Sequence, residues 1–276
     1  MSVVGPERIE SAMPFPDSPR VIYTRNPLVE VICQLRFPTI LRIGAEQPAD
    51  FQERLRRQYP LYTAQEPSLE LPQVAKALFP MVREVNLPTP SGLLTHRFAT
   101  SDPLRFISLS QDFVALTEKH YERWEEFCEE MRNGERALME VYNPAFYTRV
   151  GLRYIDVISR TDLGLGTSSW SELLQPHIVA ELGADRVSSA VLSTRTESVI
   201  QLVQPPDGRV KLVHGLGQRP ETGEQCYVID ADFFVARKDG LREPFDILDG
   251  FNRLAGRLFR WAITPGLHEA MGPRPI

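Results

Sequence analysis

The sequence predicts an α+β protein made of two tandem related halves, each with the element order β-α-β(3–4)-α. Three observations predict this class. Each half contains a run of strand-like segments joined by short turns, which is typical of antiparallel pairing and not of a parallel, doubly wound sheet. A long amphipathic segment closes each half, at 120–141 and 244–263. The same order of segments recurs after a shift of 120 residues, so we expect an antiparallel sheet with the long helices packed on one face.

Length and composition place the chain among folded globular proteins. Its 276 residues exceed the usual size of a single domain, and 42% of them are hydrophobic and 24% charged. No apolar run reaches the roughly 18 residues that cross a bilayer, and residues 1–20 lack the basic start and apolar centre of a secretory signal. We therefore expect a cytoplasmic protein that does not enter membranes.

The first half, residues 21–142, is expected to follow a flexible arm. Residues 1–20 carry four prolines and little periodicity, which predicts that arm. The opening strand starts at Leu28 in LVEVICQLRF, and DFQERLRRQYP has the apolar spacing of a short helix. Prolines crowd 60–90, so strands there would be short and would lie at a sheet edge.

A hairpin and a long helix complete the first half. Two β-rich runs, HRFATSD and LRFISLSQDFVALTE, are separated by the turn-forming pair Asp102-Pro103. The helix predicted over 120–141 follows, with its apolar residues on one stripe.

The second half, residues 143–276, repeats this order. Asn143-Pro144 leads into the strand FYTRVGLRYIDVIS, as Asn26-Pro27 leads into the first strand. The segment WSELLQPHIVAEL predicts one helix, and four strand candidates follow with a hairpin turn at 205–208. The closing helix is predicted over 244–263.

An internal duplication accounts for the repeated order. A shift of 120 residues superposes ISLSQDFVAL on YVIDADFFVA up to a one-residue step, with Asp112-Phe113 over Asp232-Phe233, and brings the two long helices into phase. We interpret the two aspartates as carboxylates that repeat a structural role at a turn or a helix cap. Two such halves would pool their strands into one broad sheet. This element order resembles the duplicated helix-grip or TATA-binding-protein type of layout, without a shared motif.

Three strings, NPLVEVICQLRF, DFVALTEKHYERWEEF and YTRVGLRYIDVI, occur in this order and span most of the chain. They resemble a sporadically distributed family of uncharacterised prokaryotic proteins of about this length. The most specific part is the pattern of an Asp-Phe strand end, a Tyr-x-x-Trp helix start and a Gly-Leu-Arg-Tyr strand. The resemblance implies no reaction, cofactor or catalytic residue.

No metal or cofactor site is predicted. The five histidines are scattered singly, and Cys33, Cys128 and Cys226 lie about a hundred residues apart, so neither set has the spacing of metal ligands. Neither of the two glycine pairs continues into a nucleotide-binding loop, and no nucleophile elbow is present. We expect the cysteines to be buried thiols, with no cofactor, no metal and no catalytic constellation.

The candidate ligand-binding residues are four arginines on predicted strands: Arg97, Arg105, Arg149 and Arg153. Arg149 and Arg153 share one strand face, and the other two lie on neighbouring strand candidates. Guanidinium groups gathered on an open sheet face could hold a phosphate or a carboxylate. The alternative is structural, because the same arginines could pair across the sheet with Glu30, Asp112 or Asp156.

These observations predict a non-enzymatic binding or protein-interaction protein with a protein partner, because a binding scaffold is present and no catalytic constellation is. One alternative is a nucleic-acid-binding protein that uses the arginine-bearing sheet face, although a net charge of −5 does not point to a polyanion partner. A second alternative is an enzyme with a motif-free pocket between the halves. Open edge strands also predict a homodimer.

Overall fold

The computed structural model describes residues 14–65, 94–219 and 222–275. The strands are β1 Val21–Tyr23, β2 Leu28–Arg36, β3 Leu61–Gln65, β4 Thr95–Ala99, β5 Arg105–Ser110, β6 Phe113–Glu118, β7 Tyr147–Ile158, β8 Arg195–Gln201, β9 Arg209–Gln218, β10 Gln225–Leu241 and β11 Pro273–Pro275. The α-helices are α1 Leu41–Ala45, α2 Ala49–Leu55, α3 Trp124–Val141, α4 Trp170–Leu173, α5 Pro176–Val179, α6 Pro244–Ala262 and α7 Pro265–Ala270. Nine strands form one antiparallel sheet in the order β3-β4-β5-β6-β2-β7-β10-β9-β8, and helices pack on it, so the α+β class is confirmed.

The two long helices lie on the same face of this sheet. Alternation in β2 buries Val31, Cys33 and Leu35 completely on that face. Helix α3 packs on β6, and α6 packs on β7 and β10. The indole nitrogen of Trp124 donates a hydrogen bond of 2.6 Å to Asp249, which joins the two helices. We call this side of the sheet the helix-covered face and the other side the opposite face.

The predicted long helices are confirmed in place and in phase. Helix α3 begins at Trp124 and not at 120, whereas α6 begins at the predicted residue. The pairs Met131/Phe251 and Leu138/Leu258, which a shift of 120 residues superposes, are all buried. Their apolar stripes therefore serve the same packing role on the sheet.

The halves also share one strand order. Strands β2 and β7 pair at the centre, and next to each lies the last strand of its own half. The order outward is β6-β5-β4-β3 in the first half and β10-β9-β8 in the second. The layout is therefore the same apart from one extra edge strand, while the duplication itself stays a prediction.

A shift of 120 residues exchanges the faces of the strands β6 and β10, so the strand alignment needs the one-residue step that the sequence pattern allows. Phe113 lies on the opposite face, where the Arg36 guanidinium is 6.0 Å from its ring centroid. Phe233 lies on the helix-covered face and packs against Phe251 of α6. Side chains alternate along a strand, so a slip of one residue moves each of them to the other face.

Asp112 and Asp232 consequently do not repeat one role. Asp112 lies in the tight turn between β5 and β6, 3.6 Å from Arg36. Asp232 lies within β10 and accepts hydrogen bonds from Arg149. The interpretation of these acids as equivalent turn or cap residues is wrong for Asp232, which is a cross-strand ion-pair partner.

Three segments depart locally from the prediction. Of the four predicted strand candidates of the second half, the first, at 187–196, is not a separate strand, because Ser188–Ala190 forms a 3-10 helix and β8 begins only at Arg195. The run LRFISLSQDFVALTE forms the two strands β5 and β6 and not one, since Gln111-Asp112 turns the chain. The predicted helix WSELLQPHIVAEL is broken into α4 and α5 at Pro176, because proline lacks the amide hydrogen that would continue the helix. Of the predicted edge strands in 60–90, β3 is present, and 66–93 lie outside the described residues.

Residues 14–20, predicted as part of a flexible arm, contact the folded protein. Phe15 is buried, with its ring centroid 5.5 Å from that of Trp261, and Asp17 lies 2.6 Å from the Arg257 guanidinium. Strands β1 and β11 pair next to this segment and bring the two ends of the described chain together. Residues 1–13 of the predicted arm lie outside the described residues.

The sheet ends in two edge strands, β3 and β8. Val199 on β8 exposes 60% of its surface. Pairing of copies through these edges stays a prediction. The part of the chain described here contains no helix with the length and apolarity needed to cross a membrane.

Candidate functional site

Arg149 and Arg153 lie together on the opposite face, as predicted, and both are paired. Arg153 donates to the two carboxylate oxygens of Asp230 at 2.7 and 2.5 Å. Arg149 donates to both oxygens of Asp232 at 3.1 and 2.9 Å. Burial raises the pKa of Asp232. The structural alternative holds for these two arginines, with acids of β10 as partners in place of those that the sequence suggested.

Arg97 shares the opposite face but has a different environment. Its guanidinium carbon lies 3.4 Å from the ring centroid of Phe106, and burial lowers its pKa. Glu30, which is 4% exposed, lies near enough to interact with it electrostatically, and burial raises the pKa of Glu30. The positive charge of Arg97 and the acid Glu30 lie side by side. This end of the opposite face therefore does not indicate whether a ligand would be an anion or a cation.

Arg105 is not part of that face, and the prediction that it joins the other arginines is wrong. Its side chain lies on the helix-covered face, where it pairs with Glu118 of β6 and lies 3.6 Å from Glu130 of α3. The hydroxyl of Tyr59 donates to the same Glu130 at 2.7 Å. The strand register decides this, because Ile107 and Leu109, which alternate with Arg105 in step, face the core.

A cavity of about 160 Å³ lies at the seam between the two halves, on the helix-covered face. Strand β7 forms its floor with Tyr154 and Asp156. Trp124 of α3, Arg260 of α6 and Tyr23 of β1 also line it. Both halves and strand β1 therefore contribute to the cavity.

Asp156 is the buried acid of this cavity. It follows Tyr154 by two residues on β7, so its side chain lies on the helix-covered face, and it is 9% exposed. Within the described chain its carboxyl accepts no hydrogen bond, and no basic nitrogen lies within 4.0 Å. Burial, and then the nearby Asp230, raises the pKa of Asp156 from 3.8 to about 8. The group is therefore largely protonated at neutral pH.

Helix α6 gives the cavity a wall of arginines. Arg253, Arg257 and Arg260 follow each other at helical spacing and all line the cavity. Arg257 pairs with Asp17 at 2.6 Å. The Nη1 atom of Arg260 is buried and finds no hydrogen-bond partner among the described residues. A buried donor without a partner costs about 1–3 kcal/mol unless a ligand or water accepts from it.

Two tyrosines bring further hydrogen-bonding groups to the cavity. The Tyr154 hydroxyl donates to Oδ1 of Asn252 at 3.0 Å, which leaves the Asn252 amide nitrogen as a donor. The Tyr23 hydroxyl and Nδ1 of His268 are 2.8 Å apart. Burial raises the pKa of Tyr23 to about 12, so its hydroxyl keeps its proton at neutral pH.

Comparisons with family models, with curated proteins and with solved structures find no match to this chain. The candidate site therefore rests on its own geometry.

Within 14–65, 94–219 and 222–275, no group of three or more histidine, cysteine, aspartate or glutamate side chains could hold a metal ion. The three cysteines are buried and free, as predicted.

From the sequence, Asp156 is predicted only as an ion-pair partner of the arginines, and no role is predicted for Arg260. One signal was present in the sequence. Asp156 interrupts the apolar run YIDVI in a strand that is buried on both faces, and a buried acid without a nearby base is costly. Its unpaired state depends on register and on α6, which the strand pattern does not encode.

Proposed function

We propose that the protein is a non-enzymatic binding protein that takes up a small organic anion in the seam cavity. The observation that carries this proposal is the presence of two unpaired buried groups, the Asp156 carboxyl and Nη1 of Arg260, in the same cavity. Proteins rarely leave such groups without partners, and a ligand that pairs with both would remove two desolvation costs at once.

The size and charge of the cavity limit the ligand class. A cavity of about 150 Å³ accommodates a benzene-sized molecule, so the seam cavity suits a ligand of similar size. Arg253 and Arg260 have no carboxylate within 4.0 Å in the described chain. Guanidinium groups of this kind bind carboxylates and phosphates with short, charge-assisted hydrogen bonds. A small carboxylate or phosphate fits both limits.

The arginine-bearing sheet face gives less support to the nucleic-acid alternative. The Nη2 atom of Arg149 donates to Asp232, and Nε and Nη2 of Arg153 donate to Asp230. A phosphate would have to displace a buried carboxylate, which leaves an unpaired charge behind. Salt-dependent binding of a DNA or RNA oligonucleotide would nevertheless restore this alternative.

The enzyme alternative is favoured by one observation. Asp156 is a titratable group in a concave site, and its raised pKa of about 8 suits proton transfer near neutral pH. Proton NMR of a carboxylate such as lactate or benzoate, followed over several hours in the presence of the protein, tests this alternative. Chemical conversion by the wild type and not by Asp156→Asn would identify an enzyme, and an unchanged anion would leave the binding role.

A cavity-filling pair of variants tests the proposed function. The Cβ position of Gly256 faces open space in the cavity wall, and the Cβ position of Gly250, also on α6, meets open space outside the residues that line the cavity. We expect acetate, lactate, benzoate or inorganic phosphate to raise the melting temperature of the wild type and of Gly250→Leu. Gly256→Leu should fold but lose this response, because the leucine occupies ligand space.

A charge variant tests the same site independently. Arg260→Gln removes the unpaired cation, and Arg136→Gln removes an exposed arginine of α3 that lies 3.8 Å from Glu129. We expect the response to anions to fall by tenfold or more in affinity in Arg260→Gln and to persist in Arg136→Gln. An anion response that survives in both Arg260→Gln and Gly256→Leu, or no response in the wild type, contradicts the proposal.

A further inference from the structure

We infer that Asp156 holds the anion as a neutral carboxylic acid, by donating its O–H to a ligand oxygen, so that anion binding requires this proton. The inference rests on the proposed function and names the group that regulates it. Binding to the protonated form gives a site that releases its ligand as the medium becomes alkaline.

The donor set of the cavity supports this role. Arg260 Nη1 is a buried donor without a partner in the described chain, and the Asn252 amide nitrogen is a second donor that is left free by the contact of its oxygen with Tyr154. An ionised Asp156 would place a negative charge in the cavity and would repel an anion. A neutral carboxyl instead adds a third donor to the lining of the same cavity.

The groups around Asp156 favour the neutral form from each side. Asp230, on the adjacent strand β10, acts on it as a like charge. Tyr154, on its own strand, and Tyr23, on β1, are both uncharged at neutral pH and are coupled to it electrostatically. Arg260, from α6, interacts with Tyr23 but lies beyond ion-pair distance of Asp156.

The other charged groups that line the cavity do not shift the pKa of Asp156; they are Arg20, Glu122, Arg123, Arg253 and Arg257. His268 and Glu269 of α7 act on Tyr23 and not directly on Asp156. Arg153 is already held by Asp230 on the opposite face. The geometry therefore leaves Asp156 without a compensating cation in the described chain, and its raised pKa of about 8 agrees with that arrangement.

Anion affinity as a function of pH tests the inference. Calorimetric titration with benzoate, or with the panel carboxylate that binds most tightly, is suitable from pH 6 to 10 because the probe stays ionised throughout. We expect Kd to be constant below about pH 7 and to rise about tenfold per pH unit above about pH 8, since only the protonated fraction binds. Asp156→Asn keeps a hydrogen-bond donor of the same shape, so it should bind with a Kd that no longer depends on pH in this range.

Two further outcomes separate this inference from the proposed function. Asp156→Leu, which has no donor, should lose binding while its circular dichroism stays that of the wild type. If the leucine variant does not fold, the pH dependence of the Kd of Asp156→Asn still tests the inference. If the wild type binds more tightly as pH rises and Asp156→Asn does not bind, the acid pairs in its ionised form with a ligand cation and the inference is wrong. If the carboxylate binds in an Arg260-dependent manner with no pH dependence in the wild type, the proposed function stands and the inference fails.

Discussion

Arg153 donates two hydrogen bonds to Asp230, at 2.7 and 2.5 Å, although its direct neighbour across the ladder between β7 and β10 is Asp232. The guanidinium reaches diagonally, because Arg149 takes Asp232 from the other direction. Both members of the Arg153–Asp230 pair are buried. The interlocked pairs fix the register between the two strands, since a slip of one residue would move each acid to the other face.

Removing one member of the Arg153–Asp230 pair should lower the free energy of unfolding far more than replacing both members by apolar residues. Asp230→Asn leaves a buried guanidinium without its counter-charge, so we expect a loss of about 3–5 kcal/mol in the free energy of unfolding. The double variant Arg153→Met, Asp230→Leu removes both charges and should recover most of that loss. Urea unfolding at pH 7 measures both. A double variant as unstable as Asp230→Asn would show that the pair is stabilising in itself.

Asp156→Asn should change how stability depends on pH. The folded protein keeps a proton on Asp156 up to about pH 8, whereas the unfolded chain releases it near pH 3.8. The free energy of unfolding should therefore fall as pH rises between these values, by up to about 1.4 kcal/mol per pH unit from this group. The asparagine variant should lack this decline and be more stable than the wild type at pH 8. Parallel pH profiles for the two proteins would contradict the burial of an unpaired acid.

His214 should limit stability in acid. Its Nδ1 lies 2.8 Å from the Tyr227 hydroxyl, which donates to the Ile178 carbonyl at 2.9 Å. Burial lowers the pKa of His214 to about 4. Between pH 6.5 and 4 the unfolded chain takes up a proton that the folded protein refuses, so stability falls as pH falls through this window. His214→Gln should flatten that acid limb in thermal unfolding, and His120→Gln, an exposed control, should not.

Gly151→Ala should disturb the arginine ladder. A Cβ at this position would lie 2.3 Å from Nη1 of Arg149, because that guanidinium crosses the glycine to reach Asp232. The guanidinium ends a long side chain and must move, which loosens its hydrogen bonds to Asp232, so we expect a loss of about 0.5–1.5 kcal/mol. Gly166→Ala is the control, since its Cβ position is open, and it should change the free energy of unfolding by less than about 0.5 kcal/mol. Equal stability of both variants in urea unfolding would contradict the contact.

The sequence pattern was sufficient for the class, the long helices and most strands. Apolar spacing located α3 and α6, and alternation located β2 and β7, because burial on one face leaves that signal directly in the chain. The break at Pro176 could have been predicted from the missing amide hydrogen. The turn at Gln111-Asp112 lay inside a continuous β-rich run, so its position followed from pairing with β2 and not from local composition.

The candidate site was less accessible to sequence reasoning. The site depends on which face of the sheet each side chain occupies. Arg105 is grouped with Arg149 because both are arginines on strands, but the strand register directs Arg105 toward α3. The seam cavity is lined by Asp156 together with segments that lie more than 100 residues away along the chain, such as the part of α6 that carries Arg260. A strand pattern gives the face of a residue only when the register of its strand is known.

The position of a bound anion is the most direct test of whether the seam cavity is the binding site. A crystal structure of the wild type, soaked with the panel anion that gives the largest rise in melting temperature, would show it. We expect an oxygen of the anion within about 3.2 Å of Arg260 Nη1, and another within hydrogen-bond distance of the Asp156 carboxyl. An anion bound elsewhere, with the seam cavity filled only by water, would show that the seam cavity is not the binding site.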